Sequence, residues 1–264
     1  MQISALYIYP IKGCRGISLK RADVEAIGLK DDRRFMIIDA DGRFLSQREV
    51  PQMAQISVNR SAEGWMLSHA KHSSVGFRTL HTGRVHNAVI WKNTAVVVDQ
   101  GNQVADWLSA VLARPCRLVG FAAGYTRYVN PQYATAVTDA VSFADGFASL
   151  ITSDESLADL NQRMQTPVSM DRFRPNIVVS GSTAWAEDDW RELRVGNVKM
   201  TAVKPCARCV VTTTNQLTGE RSNEPLETLA TFRKQSLGVI FGQNLIHQET
   251  GVISVGDEVV AYRA

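Results

Sequence analysis

Arg34-Phe-Met-Ile-Ile-Asp-Ala-Asp-Gly-Arg-Phe-Leu-Ser46 sets two runs of β-forming residues on either side of Asp39-Ala-Asp-Gly42. Aromatic and β-branched side chains suit a pleated, half-buried surface. An Asp-Gly pair between two such runs reads as a hairpin turn, because glycine takes the positive φ that tight turns require. Outward from this hairpin the same pattern recurs. Ile3-Ser-Ala-Leu-Tyr-Ile-Tyr9 precedes it, and further strands are expected at 55–58, 64–68, 75–80, 95–99 and 116–120. Beyond residue 120 strands are expected at 176–180, 192–195, 198–203 and 210–214, with a last pair around a turn in 251–263. Helices are fewer. One is expected at 103–112, with apolar residues at 104, 107, 108, 111 and 112; another at 154–163 behind Ser153 as N-cap; a third near 226–235. Residues 124–139 are polar and aperiodic, hence a loop. Many short strands with few helices make the chain mainly β and favour a barrel over a doubly wound parallel sheet.

The 264 residues suffice for one large or two modest domains, and the pattern changes near residue 120, so units at 1–119 and 120–264 are expected. With 29 Lys and Arg against 26 Asp and Glu the chain is only mildly basic. It has no Lys/Arg block of the kind that coats nucleic acid. No apolar run is long enough to span a bilayer, and the first ten residues lack a basic n-region and are broken by Pro10. Four cysteines spread over this length imply a reducing, cytoplasmic setting rather than disulfide stapling.

Lys204-Pro-Cys-Ala-Arg-Cys209 places two sulfurs close together, usable for zinc, a redox disulfide or one activated thiolate. Structural zinc needs four ligands, and there is no second CxxC and no suitably spaced histidine pair. A thioredoxin-like site needs a helix from the first cysteine, whereas Val210-Val-Thr-Thr-Thr214 reads as strand. Two buried structural cysteines, or one thiolate stabilised by Lys204 and Arg208, remain. Arg172-Phe-Arg174-Pro-Asn176 sets two guanidiniums on one face if extended, suited to phosphates and planar heterocycles. Arg33, Arg48, Lys12 and Arg15 add cations near the N-terminal hairpin; singly, each is an ordinary surface charge. Gly13 and Gly16 beside Lys12 suggest an anion-binding loop, but no GxxxxGK[ST] or GxGxxG supports a nucleotide fold. Glu187-Asp-Asp189-Trp190 reads as a solvated acidic turn.

Taken in order, Tyr9-Pro-Ile-Lys12, Asp32-Arg33 with Phe35-Met36, Arg48, Ser142-Phe-Ala-Asp-Gly146, Phe173-Arg-Pro-Asn-Ile-Val178, Ala186-Glu-Asp-x-Trp190, Lys204-Pro-Cys-x-Arg-Cys209, Thr212-Thr213, Glu224-Pro-Leu226, Phe241-Gly-Gln-Asn244 and Val255-Gly-Asp257 cover nearly the whole chain. This series resembles the MOSC family, and within it the bacterial YcbX branch, related to the mitochondrial amidoxime-reducing component. The resemblance implies an N-terminal MOSC β-barrel region followed by a MOSC β-barrel domain like the barrel inserted in pyruvate kinase. A pyridoxal-phosphate-binding superfamily description also goes with it. It implies a molybdenum cofactor, molybdopterin carrying the metal, with Cys209 as metal ligand and catalytic centre and Cys206 adjusting the turn that aims it. Lys12, Gly13, Arg33, Ser153, Arg174, Asn176 and Arg208 would grip pterin and phosphate. Where relatives carry a small polar residue after the motif lysine this chain has Gly13-Cys14, so a side-chain contact is lost there.

The implied reaction is reduction of N-hydroxylated small molecules (hydroxylamines, amidoximes, N-hydroxylated base analogues) by N–O cleavage. Many such proteins continue into a 2Fe–2S domain needing four more cysteines. Only Cys14 and Cys116 are unassigned here, so no iron–sulfur cluster is expected in this chain. Electrons are then expected from a separate protein of ferredoxin, flavodoxin or flavin reductase type, with no nucleic-acid or membrane partner. The other reading is a non-catalytic carrier of cofactor or of persulfide sulfur on Cys209.

Overall fold

In the computed structural model, which describes residues 1–263, the ten-residue strands Val198–Ala207 and Gly238–His247 run antiparallel as the spine of a nine-stranded sheet. Its order is Val259–Arg263, Trp190–Val195, Val198–Ala207, Gly238–His247, Ser149–Ser153, Ile177–Ser180, Gln2–Ile8 and Ile17–Leu19, with Lys234–Gln235 paired beside Gly238–His247. The sheet curls until the start of its edge strand Val259–Arg263 meets the start of Gln2–Ile8. Gln2 bridges to Glu258, Ile3 N–H donates to Asp257 O at 2.9 Å, and Val259 N–H donates to Met1 O at 2.8 Å. Closure of this kind satisfies edge groups that would otherwise recruit other chains. The interior is filled from both chain ends: Ile3, Leu6 and Ile8 pack with Leu193, Val198, Met200 and Leu245. One strand pair, Ser149–Ser153 with Ile177–Ser180, is parallel and is joined by the helix Asp154–Gln162. A parallel neighbour demands such a crossover.

The remaining N-terminal strands make a second body. Phe35–Ile38, Arg117–Phe121, Asn93–Asp99 and Val85–Ile90 form a four-stranded sheet, and Ser57–Ser61, Gly64–His69 and His72–Phe77 a three-stranded meander. The helix Asn102–Leu112 turns Val104, Leu108 and Leu112 onto a core shared with Phe35, Trp65, Phe77 and Leu118. A small sheet of Gly251–Ser254, Arg21–Glu25 and Gly28–Leu29 completes the described strands. Among the described residues no helix is long and apolar enough to cross a membrane.

The mainly β architecture matches the sequence pattern, and several local elements differ. The Asp39–Gly42 turn forms, its Asp39 carboxylate accepting the Asp41 and Arg43 N–H groups at 3.0 and 2.9 Å. Its second arm, 42–46, makes only isolated bridges, Ile38 to Phe44 and Arg43 to Val89, because the chain folds back at once through hydrogen bonds from Glu49 and Val50 to Ser46 O. The expected strand at 210–214 is a 3-10 turn, Val210–Thr213. Here Thr212 and Thr213 hydroxyls donate to the carbonyls of Cys209 and Val210 at 3.0 and 2.8 Å. Such local side-chain bonds overcome the strand preference of β-branched residues. The third helix stops at Phe232, where Lys234–Gln235 joins the sheet.

Strands not expected from the sequence include Arg21–Glu25, Val85–Ile90, Ser149–Ser153 and Gly238–His247. In the last, Gly242 at φ +80° interrupts the alternation. A Cβ at Gly242 would lie 2.6 Å from Ile151 O and 2.8 Å from Thr152 Cγ2. Gly242→Ala is therefore expected to cost at least about 2 kcal/mol, from backbone strain plus displacement of the neighbouring strand. A thermal melt would register this, and an unchanged midpoint would refute the close-approach account.

Candidate cofactor and metal site

The cleft lies on the seam between the two bodies and is built almost wholly from turns. It is lined by Lys12 and Gly13, by Arg33, by Gln47 and Arg48, by the loop around Asp145, by Phe173, Arg174 and Asn176, and by Cys206 through Cys209. Residues 160 or more apart in sequence thus face one space. The strand Val198–Ala207 delivers Cys206 at its end, and Cys209 stands as the N-cap of the turn that follows.

The two cysteines are reduced and have different surroundings. Cys206 Sγ accepts a hydrogen bond from Arg208 Nη1 at 2.8 Å, and Arg208 Nη2 reaches Phe173 O at 2.5 Å. Arg208 Nε is buried with no partner. Cys209 is half-buried, its carbonyl held by the Thr212 N–H and hydroxyl, each at 3.0 Å. Among the described residues no hydrogen-bond donor reaches its sulfur. The cations expected to flank this thiol point elsewhere: Lys204 Nζ sits 4.3 Å from the Tyr133 ring centre, and Arg208 serves Cys206. Among the described residues there is no group of three His, Cys, Asp or Glu able to share a metal.

Arg33 and Arg174 hold left-handed backbone, φ +47° and +54°. Non-glycine residues take this region rarely and at a cost that the surroundings must offset. Here the offset comes from Tyr9. The Arg33 and Arg174 guanidinium carbons lie 4.5 and 4.2 Å from the Tyr9 ring centre, and the Tyr9 hydroxyl donates to Pro175 O at 3.0 Å. Stacking on one ring orients two like charges that would otherwise repel. Asp32, fully buried, accepts Tyr9 N–H at 2.8 Å and Arg33 Nη1 at 2.6 Å. Burial pushes the Tyr9 phenol up, against the pull of both arginines, so it stays neutral. Tyr9, Asp32 and Asp145 were not among the expected site residues, although each falls inside a motif of the series.

Lys12 is buried, and its ammonium donates to Phe143 O at 2.9 Å and to Asp145 Oδ1 at 2.5 Å. Burial lowers the Lys12 pKa, with Asp145 opposing. Asp145 faces the open cleft, its side chain 65% accessible. The enclosing walls would raise its carboxyl, but Lys12, Arg48 and Arg33 outweigh them and hold it below the usual carboxylate range. Gly13, at φ +86°, offers its carbonyl to Gln47 Nε2 at 2.7 Å, and a Cβ there would lie 2.6 Å from Met53 Cε. Five cations (Lys12, Arg33, Arg48, Arg174, Arg208) against one carboxylate leave the cleft lining strongly positive.

Other expected residues take different places. Asn176 lines the cleft, yet its amide is occupied: Oδ1 accepts Arg33 Nη1 and Leu150 N–H at 3.0 and 3.2 Å, and Nδ2 donates to Tyr7 O at 3.1 Å. It braces Arg33 and the segments around Tyr7 and Leu150. Arg172 lies in the 3-10 turn Met170–Arg172 and donates to Thr213 O at 2.8 Å, so it does not share a face with Arg174. Ser153 is outside the cleft lining. It caps the helix Asp154–Gln162, accepting Ser156 N–H at 3.1 Å and donating to Glu187 Oε2 at 3.1 Å. Glu187, expected on a solvated turn, is fully buried there, and its Oε1 has no partner.

Burial raises the Glu187 pKa despite two serine hydroxyls on Oε2. An acid whose folded pKa lies above its unfolded one contributes stability that is complete below the unfolded value, about 4.3, and lost as pH rises through the folded value. Glu187→Gln is expected to stabilise the protein at neutral pH and to flatten the fall in melting temperature as pH rises above about 4. Identical pH–stability curves for the two proteins would remove the buried-acid account.

Comparison with known proteins shows the family of the chain. Residues 1–115 match the MOSC N-terminal beta barrel domain and residues 138–260 the MOSC domain. The chain is 34% identical to human mitochondrial amidoxime-reducing component 1, covering 97% of this chain and 82% of that one. It is 32% identical to the bovine mitochondrial amidoxime reducing component 2, over 97% and 82% of the two. It is 28% identical to the molybdenum cofactor sulfurase of Oryza sativa subsp. japonica, over all of this chain and 34% of that one. The mainly β architecture and the two family matches, which together span most of the chain, make this a MOSC-type protein. The chain belongs to the MOSC-domain family that includes the mitochondrial amidoxime-reducing components.

Proposed function

We propose that this chain binds the molybdenum cofactor in the seam cleft, with Cys209 as the protein's ligand to the metal, and reduces N-hydroxylated compounds. The observation that carries the reading is a half-buried, unengaged thiol in one cleft with five cations and a single carboxylate. A soft thiolate suits a sulfur-loving metal. Forked guanidiniums suit phosphate and planar heterocycles. The buried, unpartnered Arg208 Nε is a donor awaiting an acceptor. The residues present thus fit an anionic pterin.

Lys12, Arg33, Arg174 and Arg208 would hold the cofactor. Asp145 aims Lys12 and opposes the lowering of its pKa by burial, and the Arg208–Cys206 bond steadies the turn that presents Cys209. When bound, the cofactor supplies two-electron cleavage of the N–O bond, R–NHOH + 2e⁻ + 2H⁺ giving R–NH₂ + H₂O, with electrons from a separate donor protein. A second reading, a persulfide carrier on Cys209, is favoured by the likeness to the rice sulfurase. The cation set argues against it, since sulfur alone needs no phosphate grip. Protein from a cofactor-competent host is expected to carry molybdenum and to reduce a hydroxylamine when given a reductant. Metal-free protein that still reduced hydroxylamines would overturn the molybdenum-dependent reading, and a Cys209 sulfur adduct without molybdenum would select the carrier.

A further inference from the structure

Trp91 opens the two-residue turn between Val85–Ile90 and Asn93–Asp99, where Ile90 pairs with Asn93. Its φ is +55°, a conformation that glycine or asparagine adopts readily and a bulky side chain rarely does. The hairpin itself has no use for an indole at this position. The contacts that hold the ring lead away from the hairpin to the cleft. The indole N–H donates to Asp145 Oδ1 at 3.3 Å, the Arg48 guanidinium lies 4.5 Å from the ring centre, and Phe44 meets the ring at 4.8 Å and 62°. Asp145 and Arg48 line the same cleft as Cys209. Even so the residue stays 43% exposed, leaving aromatic surface open at the cleft lip.

We infer that Trp91 is a specificity-determining residue, whose indole, braced by Arg48, stacks flat aryl-bearing N-hydroxylated substrates and guides their N–O group into the cleft. The inference rests on the reduction proposed above. An aromatic face beside a guanidinium favours planar, conjugated molecules, because stacking and cation–π attraction both need a flat π system. An amidoxime conjugated to an aryl ring has that shape, whereas an alkyl amidoxime has the same reacting group without the ring. Backbone strain retained at a cleft lip fits a side chain kept for what it contacts.

The test compares benzamidoxime with acetamidoxime on the cofactor-loaded full chain, using Trp91→Gly and Trp91→Phe. Glycine suits the positive φ, so the first variant is expected to melt no lower than the parent. In Trp91→Gly the benzamidoxime-to-acetamidoxime ratio of kcat/KM is expected to fall about tenfold, mainly through the benzamidoxime KM, with Trp91→Phe restoring most of it. Equilibrium dialysis of benzamidoxime reads the same step without turnover and is expected to weaken by about the same factor. Equal losses on both substrates, no loss, or no Trp91-dependent binding would overturn the assignment. Trp91-dependent binding without reduction of either substrate would support the stacking role and overturn the reaction proposed for the site.

Discussion

Cys209→Ala is expected to leave a folded protein that retains no molybdenum and has lost N–O reduction. Folding should survive because the side chain is half-buried and its sulfur makes no hydrogen bond among the described residues. Truncations away from the core and from buried networks stay within about 0.5 kcal/mol. The metal should not survive, because the other cleft sulfur is committed: Cys206 Sγ accepts from Arg208 at 2.8 Å. Cys206→Ser supplies the contrast. It keeps an acceptor for Arg208 and leaves Cys209 in place, so metal is expected to be retained with affinity weakened about 10- to 100-fold, as when a group orienting a metal ligand is changed. Elemental analysis beside a hydroxylamine assay checks both variants. Full metal content in Cys209→Ala, or complete loss in Cys206→Ser alone, would transfer the ligand role to Cys206.

The second large effect is expected far from any thiol. Arg127 is 6% exposed, and its guanidinium donates to three successive parts of one loop: Ser142 O at 2.8 Å, Ala144 O at 2.6 Å and Asp145 O at 3.1 Å. Lys12 grips the same loop at Phe143 O and at the Asp145 carboxylate. Together they shape a segment that has no regular secondary structure of its own yet carries the cleft's one acid. Arg127→Met fills much of the volume but deletes all three bonds and strands buried carbonyls, at about 3–5 kcal/mol. In a chain of this size that corresponds to a melting point lower by roughly 10 °C. Arg127→Lys keeps the charge but not the fork, so it should recover only part. A melting temperature within a degree of the parent would show that the loop holds its shape unaided.

How much of this the amino-acid sequence disclosed depended on whether the signal was local. The helix Asn102–Leu112 and the turn at Asp39–Gly42 were legible because their cause lies within a few residues, in apolar spacing and in an Asp-Gly pair. Gly238–His247 was not: its alternation breaks at Gly242, and only contact with Ile151 and Thr152 on the next strand explains the break. At the site, cations and the Cys209 motif could be read as chemistry. The posture of Arg33 and Arg174 could not, since an arginine, unlike a glycine, gives no sign that its backbone is left-handed. Arg127 escaped notice because it sits in an aperiodic loop and its partners are carbonyls, which every residue has. Tyr9 and Asp145 lay inside motifs of the series, and their roles appear only where segments more than a hundred residues apart meet.

The closure of the large sheet also constrains how the molecule is made. Gln2–Ile8 leaves the ribosome early, but its antiparallel partner Ile177–Ser180 is synthesised about 170 residues later. The contacts of Met1 and Ile3 with Val259 and Asp257 come later still. At translation rates of roughly 5–20 residues per second the first strand waits on the order of ten seconds with an unpaired, apolar edge. The barrel that carries Cys209 can therefore be completed only after Val259 has emerged. Its N-terminal strand must be kept from other nascent chains until then, a task for a chaperone or for transient burial against the strands around Phe35 and Trp65.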